Sequence, residues 1–118
     1  MERVQYRQGD VLLFPVGAVP KKLAPVAREN GRLILAHGEV TGHAHAIVDE
    51  RAELVGLVPE QDGFVTADQA AELYLMVHGD GPVDLVHDEH DTIPVEAGAY
   101  RVVRQREYAP EQNRMVAD

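Results

Sequence analysis

Leu73-Tyr74-Leu75-Met76-Val77-His78-Gly79-Asp80-Gly81-Pro82-Val83-Asp84-Leu85-Val86-His87 decides the fold class. An apolar run of strand length ends at a Gly-Asp-Gly-Pro turn, and a second run then alternates apolar with polar residues. Side chains on one face of a strand recur every second residue, so short runs of this kind between turn signals read as strands. Residues 73–78 and 83–87 are expected to pair as a hairpin.

The same pattern continues outward in both directions. Upstream, residues 3–7 alternate and form a first short strand, Gly9-Asp10 turns, and residues 11–16 make an apolar strand. Pro15 has no N–H to give to a ladder, so that strand ends, bulges or lies at an edge there. Residues 17–31 contain Gly17, Pro20, Lys21, Lys22, Pro25, Asn30 and Gly31 and read as a surface loop, with Lys21-Lys22 at a solvated tip. Asn30-Gly31 is a tight-turn dipeptide leading into a strand over 32–37. Residues 38–42 read as a loop, 43–48 as a strand, 49–51 as a turn, 53–58 as a strand stopped by Pro59, 59–63 as a loop, and 68–72 as one turn of helix. Downstream, 92–95 is a short strand and 99–108 the longest one, broken by Ala109-Pro110-Glu111. Nine to ten short strands with almost no helix predict an all-β, single-domain chain, either a small barrel or a β-sandwich.

Composition agrees. The 118 residues suit one domain with a real core, and 45% of them are hydrophobic, enough to fold. The absence of cysteine excludes disulfides, thiolate zinc sites and iron–sulfur clusters, so any metal site is built from His, Asp and Glu. A net charge of −9 argues against a sequence-independent nucleic-acid binder, which needs a basic footprint. No apolar run approaches the roughly 20 residues needed to cross a bilayer, and no secretory pattern opens the chain. The expected setting is therefore cytoplasmic, with no membrane and no nucleic acid as partner. Thirteen of the twenty acids lie in residues 49–96 beside a single base, Arg51, which makes that region an acidic face. Such a face is either simply solvated or attractive to cations or a basic partner.

The histidines carry the chemistry. His43 and His45 lie two apart in Gly38-Glu39-Val40-Thr41-Gly42-His43-Ala44-His45-Ala46-Ile47, so in a strand they share a face with Ile47. Two imidazoles about 6.6 Å apart along a strand can converge on one ion at about 2.1 Å. By the same parity His37 shares a face with Leu33 and Leu35, and His87 with Val83 and Leu85. Histidines on otherwise apolar faces near strand ends would gather at one mouth of the fold, and buried imidazoles must be hydrogen-bonded or ligated. His90 points away from His87 along a regular strand. A bend at Asp88-Glu89 would bring it round; otherwise Glu89 is the better ligand. The metal-ligand set is thus His43, His45 and His87 first, then His90 and Glu89, with His37 and His78 as surface or supporting groups. Asp88 or Glu50 are candidates to orient a ligating imidazole.

A second cluster, Arg104-Gln105-Arg106-Glu107-Tyr108, puts Arg104 and Arg106 on one face with Tyr100, Val102 and Tyr108. These arginines either form cross-strand ion pairs with the acidic middle of the chain or bind an anion, a small acidic ligand bearing carboxylate or phosphate.

Gly38…Gly42-His43-Ala44-His45, followed by Asp49 or Glu50 and later by Pro94-Val95-Glu96-Ala97-Gly98, resembles the cupin pattern. Cupins are double-stranded β-helix barrels that hold a metal through the two histidines of an HxH, a glutamate and a later histidine; here no histidine follows Gly98. Over most of its length the chain also resembles a group of small bacterial proteins of unknown role. The shared segments are Gln8-Gly9-Asp10-Val11-Leu12-Leu13, Gly38 to His45, His87-Asp88-Glu89-His90 and Tyr100 to Tyr108. That resemblance implies a single domain and no particular activity.

The leading expectation is a β protein binding a divalent transition metal (zinc, iron, manganese or nickel) through histidines at one mouth, with an open position if it is an enzyme. The other is a non-catalytic interaction module with structural histidines and an acidic partner-binding face. A homodimer through an edge strand is the expected assembly.

Overall fold

The computed structural model describes residues 5–37, 43–57, 67 and 70–104. Ten strands follow one another: β1 (Tyr6–Gln8), β2 (Val11–Val16), β3 (Ala24–Pro25), β4 (Leu33–His37), β5 (Ala44–Ile47), β6 (Ala52–Leu57), β7 (Glu72–Val77), β8 (Val83–His87), β9 (His90–Val95) and β10 (Gly98–Arg104). They make a six-stranded sheet in the order β1-β2-β10-β7-β6-β3 and a four-stranded sheet in the order β4-β5-β8-β9. Every pairing is antiparallel. Of the two expected architectures the chain adopts the sandwich rather than a closed barrel. Among the described residues there is no α-helix, and no helix is long and apolar enough to cross a membrane.

The core lies between the sheets and follows from strand alternation. Val11, Leu13, Leu54, Leu73, Leu75, Tyr100 and Val102 face inward from the larger sheet, and Leu33, Leu35, Ile47, Val83, Leu85 and Val95 from the smaller. Fully burying a Leu, Ile or Val contributes about 1.5–3 kcal/mol, so this apolar layer is the main stabilising term. Ile34, Ala44 and Ala46 form a second buried cluster with Val86 on the other face of the smaller sheet.

The expected hairpin of residues 73–78 with 83–87 does not form. β6 and β10 occupy both edges of β7, which leaves none for β8. The chain instead crosses to the other sheet through residues 78–82, where Gly79 takes the left-handed region at φ 93°. Arg51 fastens the crossing by donating to the carbonyls of Gly81 and Pro82 at 3.2 and 3.0 Å. Residues 17–31 are not wholly loop either: β3 pairs with β6, and Val26 is buried while its N–H donates to Leu54. The expected helical turn over 68–72 fails at its end, since Glu72 opens β7; Asp68 and Gln69 lie outside the described residues, as do 38–42, 59–63 and 105–108. Asn30-Gly31 is the expected tight turn, with φ 55° and 81° and Glu29 and Arg32 exchanging two backbone hydrogen bonds. Pro15 does not end its strand: β2 runs on to Val16 and Pro15 pairs with Tyr100 of β10, while among the described residues the β1 register covers Val11 to Leu13.

Side chains close the gap between β1 and β9. Tyr6 packs edge-on against Tyr100 with ring centres 5.7 Å apart, and its hydroxyl accepts the Glu96 N–H. Tyr100 donates to the Glu96 carbonyl at 2.7 Å, and burial first, then Tyr6 and Glu96, pushes its phenol up to about 12.

Candidate functional site

Two β-bulges gather the histidines. On β4 the register slips at Leu35: Leu33 pairs with Ile47 and Ile34 with Ala46, but Ala36 then faces His45, and His37 faces Ala44. The extra residue turns Ala36 toward the core beside His45 and sends His37 to the outer face, where it is exposed and contacts Glu29 at 3.3 Å. The expected parity of His37 with Leu33 and Leu35 is therefore overturned.

The second bulge acts in the opposite sense. Leu85 pairs with Ile93, whereas His87 pairs with His90, so one residue of β8, Val86, opposes two of β9, Asp91 and Thr92. Asp88 and Glu89 form the two-residue turn between them. The bulge corrects the parity of His90 and brings it beside His87, which is the bend that the sequence reading left open. Ring centres lie 4.3 Å apart for His45 and His87, 4.7 Å for His87 and His90, 5.8 Å for His45 and His90, and 6.0 Å for His43 and His87.

Gln8 orients the most buried member. Its amide Nε2 donates to the carbonyls of Leu85 and Asp91, both at 2.9 Å. Two carbonyl acceptors can be served only by an NH2, so the other amide atom is the oxygen. That oxygen lies 2.8 Å from His45 Nδ1, and Nδ1 therefore carries a proton and donates. In a neutral His45 ring Nε2 is then the unprotonated nitrogen. Nε2 points to Asp10, whose Oδ1 is 3.4 Å away. His45 is buried, its side chain only 3% exposed, while Asp10 is 32% exposed.

The Gly9-Asp10 turn between β1 and β2 approaches both inner rings. Gly9 has φ 58°, and a Cβ placed on it would lie 2.7 Å from His90 Nε2 and 3.3 Å from His45 Cε1. Only glycine lets the turn backbone come this close while holding a left-handed conformation.

The outer members are held differently. His87 Nδ1 accepts the Glu89 N–H at 3.0 Å, so the neutral ring carries its proton on Nε2. Ligation through His87 Nε2 requires that bond to break. His43, just ahead of β5, has Nε2 3.8 Å from Asp88 Oδ2 and Nδ1 3.8 Å from Glu89 Oε1. Asp88 and Glu89 are themselves half exposed on the turn. Among the described residues, no group of three or more His, Asp or Glu side chains is placed so that it could hold a metal ion.

The structure thus brings His43, His45, His87, His90 and Glu89 into one cluster, and it leaves His37 and His78 outside. His78 faces Glu53 at 2.6 Å on the surface. Arg104 is buried on the inward face with Tyr100 and Val102, and its Nη1 donates to the Ala67 carbonyl at 3.2 Å. Arg106 lies outside the described residues. Gln8 and Asp10 are the site residues that sequence reasoning missed. They stood in a shared segment, Gln8 to Leu13, but read only as the end of a strand and a turn.

A family model described as a domain of unknown function (DUF8820) matches residues 7–105. No curated protein and no solved structure matches the chain.

Proposed function

The chain belongs to the DUF8820 family, a domain of unknown function, and we propose that it binds one divalent transition metal ion at the histidine cluster of β5, β8 and β9. One observation carries this reading: the Gln8 amide fixes the His45 ring, accepting from its Nδ1 and directing Nε2 toward the Gly9-Asp10 turn. A metal-ligating histidine typically donates its other ring N–H to an oxygen acceptor in this way, which fixes the tautomer and makes the ligating nitrogen more basic. Imidazole and carboxylate donors without thiolate suit zinc, iron, manganese or nickel. A bound ion with an open position would polarise water or a small ligand.

A second reading has its own support. Gln8 joins β1 to the smaller sheet through Leu85, Asp91 and His45, so the cluster also serves as a structural bolt between layers. Under that reading the chain is an interaction module and the imidazoles carry no ion.

Elemental analysis of protein prepared without a histidine tag, followed by melting with and without added zinc, separates the two. The metal reading expects near-stoichiometric metal, with wild-type protein stabilised by about 2.7 kcal/mol when the free ion is 100 times its Kd. His45→Ala loses that metal-dependent gain, and His43→Ala reduces it. Protein that takes up no metal, with His45→Ala lowering the melting temperature equally whether or not zinc is present, overturns it.

A further inference from the structure

We infer that the outer face of the six-stranded sheet is where two copies of this chain meet, stacked face to face about a two-fold axis along β7. The inference is independent of the metal reading. The smaller sheet covers the inner face of the larger one, where the core lies. An antiparallel sheet with its other face in water alternates apolar-in with polar-out. The larger sheet departs from that rule. Across its centre one outward row reads Phe14 on β2, Arg101 on β10, Tyr74 on β7 and Val55 on β6. Each is the strand neighbour of a core residue, Leu13, Val102, Leu75 or Leu54, and so points the other way. Half-buried Met76 and the 39% exposed Leu57 stand in the rows on either side. A contiguous apolar face with charged residues around it marks an interaction surface.

The charges on this face select the occupant. Arg101 stands exposed on β10, next to β7 on one side, and Glu53 stands exposed on β6, next to β7 on the other. In an isologous contact, residue i of one copy meets residue j of the other, and j meets i. A two-fold axis along β7 exchanges β10 with β6, so Arg101 of each copy lies over β6 of the other. Arg101 is level with Val55 through Tyr74, and Glu53 lies two residues, about 7 Å, further along that strand. A long arginine side chain spans that offset between sheets packed about 10 Å apart, and the contact forms twice.

The other carboxylate of this face is already engaged within its own strand, where Glu72 accepts from the Tyr74 hydroxyl at 2.7 Å. Glu53 contacts His78 at 2.6 Å, but both side chains are more than half exposed, so the Glu53 carboxylate is open to a guanidinium from outside. The direction of the axis follows from the same charges. An axis along the row from Phe14 to Val55 would stack Arg101 on its own twin, a like-charge contact that opposes association. An axis along β7 pairs opposite charges instead, and it lays the apolar row of one copy on that of the other.

Sedimentation velocity on the full chain tests this, over a range of protein concentrations and in about 0.15 M salt, where long-range repulsion between two acidic chains is screened. Wild-type protein is expected to form a reversible dimer. Arg101→Glu and Glu53→Arg each set like charges against each other twice, and each is expected to weaken the dimer by at least about 10-fold. Mixing the two variants in equal amounts restores opposite charges at both contacts, and a heterodimer is expected to form. Its formation also shows that each variant is folded. The double variant Arg101→Glu with Glu53→Arg is expected to dimerise by itself. A wild-type chain that stays monomeric overturns the inference. So does a mixture of the two variants that stays monomeric. A dimer that survives both charge reversals also overturns it and gives the assembly to an edge strand.

Discussion

Two polar nodes tie the segments of this sandwich together, and they are built from different groups. At the first, Arg28 donates to the carbonyls of Gly31, Val48, Asp49 and Ala52 at 2.9–3.1 Å. Beside it Arg51 clasps both Asp49 oxygens, at 3.2 and 3.0 Å, and reaches across to Gly81 and Pro82. Guanidinium donors meet carbonyl and carboxylate acceptors throughout. At the second, Gln8 donates to two carbonyls and accepts from His45 Nδ1, and His45 Nε2 lies 3.4 Å from Asp10 Oδ1 with three more imidazole rings nearby. A node in which donors match acceptors reads as scaffold. A node that gathers imidazoles and carboxylates, in the same small fold, is the one on which the proposed metal site rests.

The largest effect that would break this contrast is at the scaffold node. Arg28→Ala removes four hydrogen bonds and leaves carbonyls to find water, so it is expected to lower stability by about 2–3 kcal/mol. The loss should be the same with and without zinc, as read from urea denaturation midpoints. A zinc-dependent loss would mean that the two nodes are not separate. Next in size is Gly9→Ala. Forcing a side chain into the left-handed region costs about 1–2 kcal/mol, and the added Cβ must displace the exposed His90 ring. This variant is expected to be less stable without metal and also weaker in zinc binding, as read by calorimetric titration. An unchanged zinc affinity would place His90 outside the ion's shell.

The smallest effect belongs to the Asp49–Arg51 pair. The hydrogen bonds and charge of Arg51 hold the Asp49 carboxyl below its usual value of 3.8. A group whose folded value is depressed contributes stability above its unfolded value, and that contribution is lost as pH falls through the folded one. Stability should therefore decline below about pH 4 with a component that Asp49→Asn abolishes, and added salt should shrink it, because the pair is solvent-screened. Denaturation curves from pH 6 to pH 2 in low and high salt check this.

Much of the fold was legible because it depends on local pattern. Period-two alternation located the strands, and Asn30-Gly31 and Gly9-Asp10 marked turns that the structure contains. Strand pairing was not legible where it depends on competition. Residues 73–78 looked ready to pair with 83–87, but β6 and β10 are longer-range partners that take both edges of β7. The histidine cluster was legible as composition and parity for His43, His45 and His87. Two single-residue bulges decided the rest, excluding His37 and admitting His90, and one slipped residue flips a side chain to the other face without a clear mark in the sequence. Gln8 and Asp10 escaped notice for a related reason: their roles arise from long-range contacts, Gln8 with residues 37, 77 and 83 positions away and Asp10 with His45.

The protonation state of His45 is the measurement closest to the centre of this account. Nitrogen-15 NMR of the imidazoles at neutral pH, without and then with zinc, reads both nitrogens of each ring. The account predicts that His45 carries its proton on Nδ1, with Nε2 deprotonated in the absence of metal and shifting to the metal-bound range as zinc is added. A His45 that carries its proton on Nε2 alone, or whose Nε2 signal ignores zinc, would contradict it.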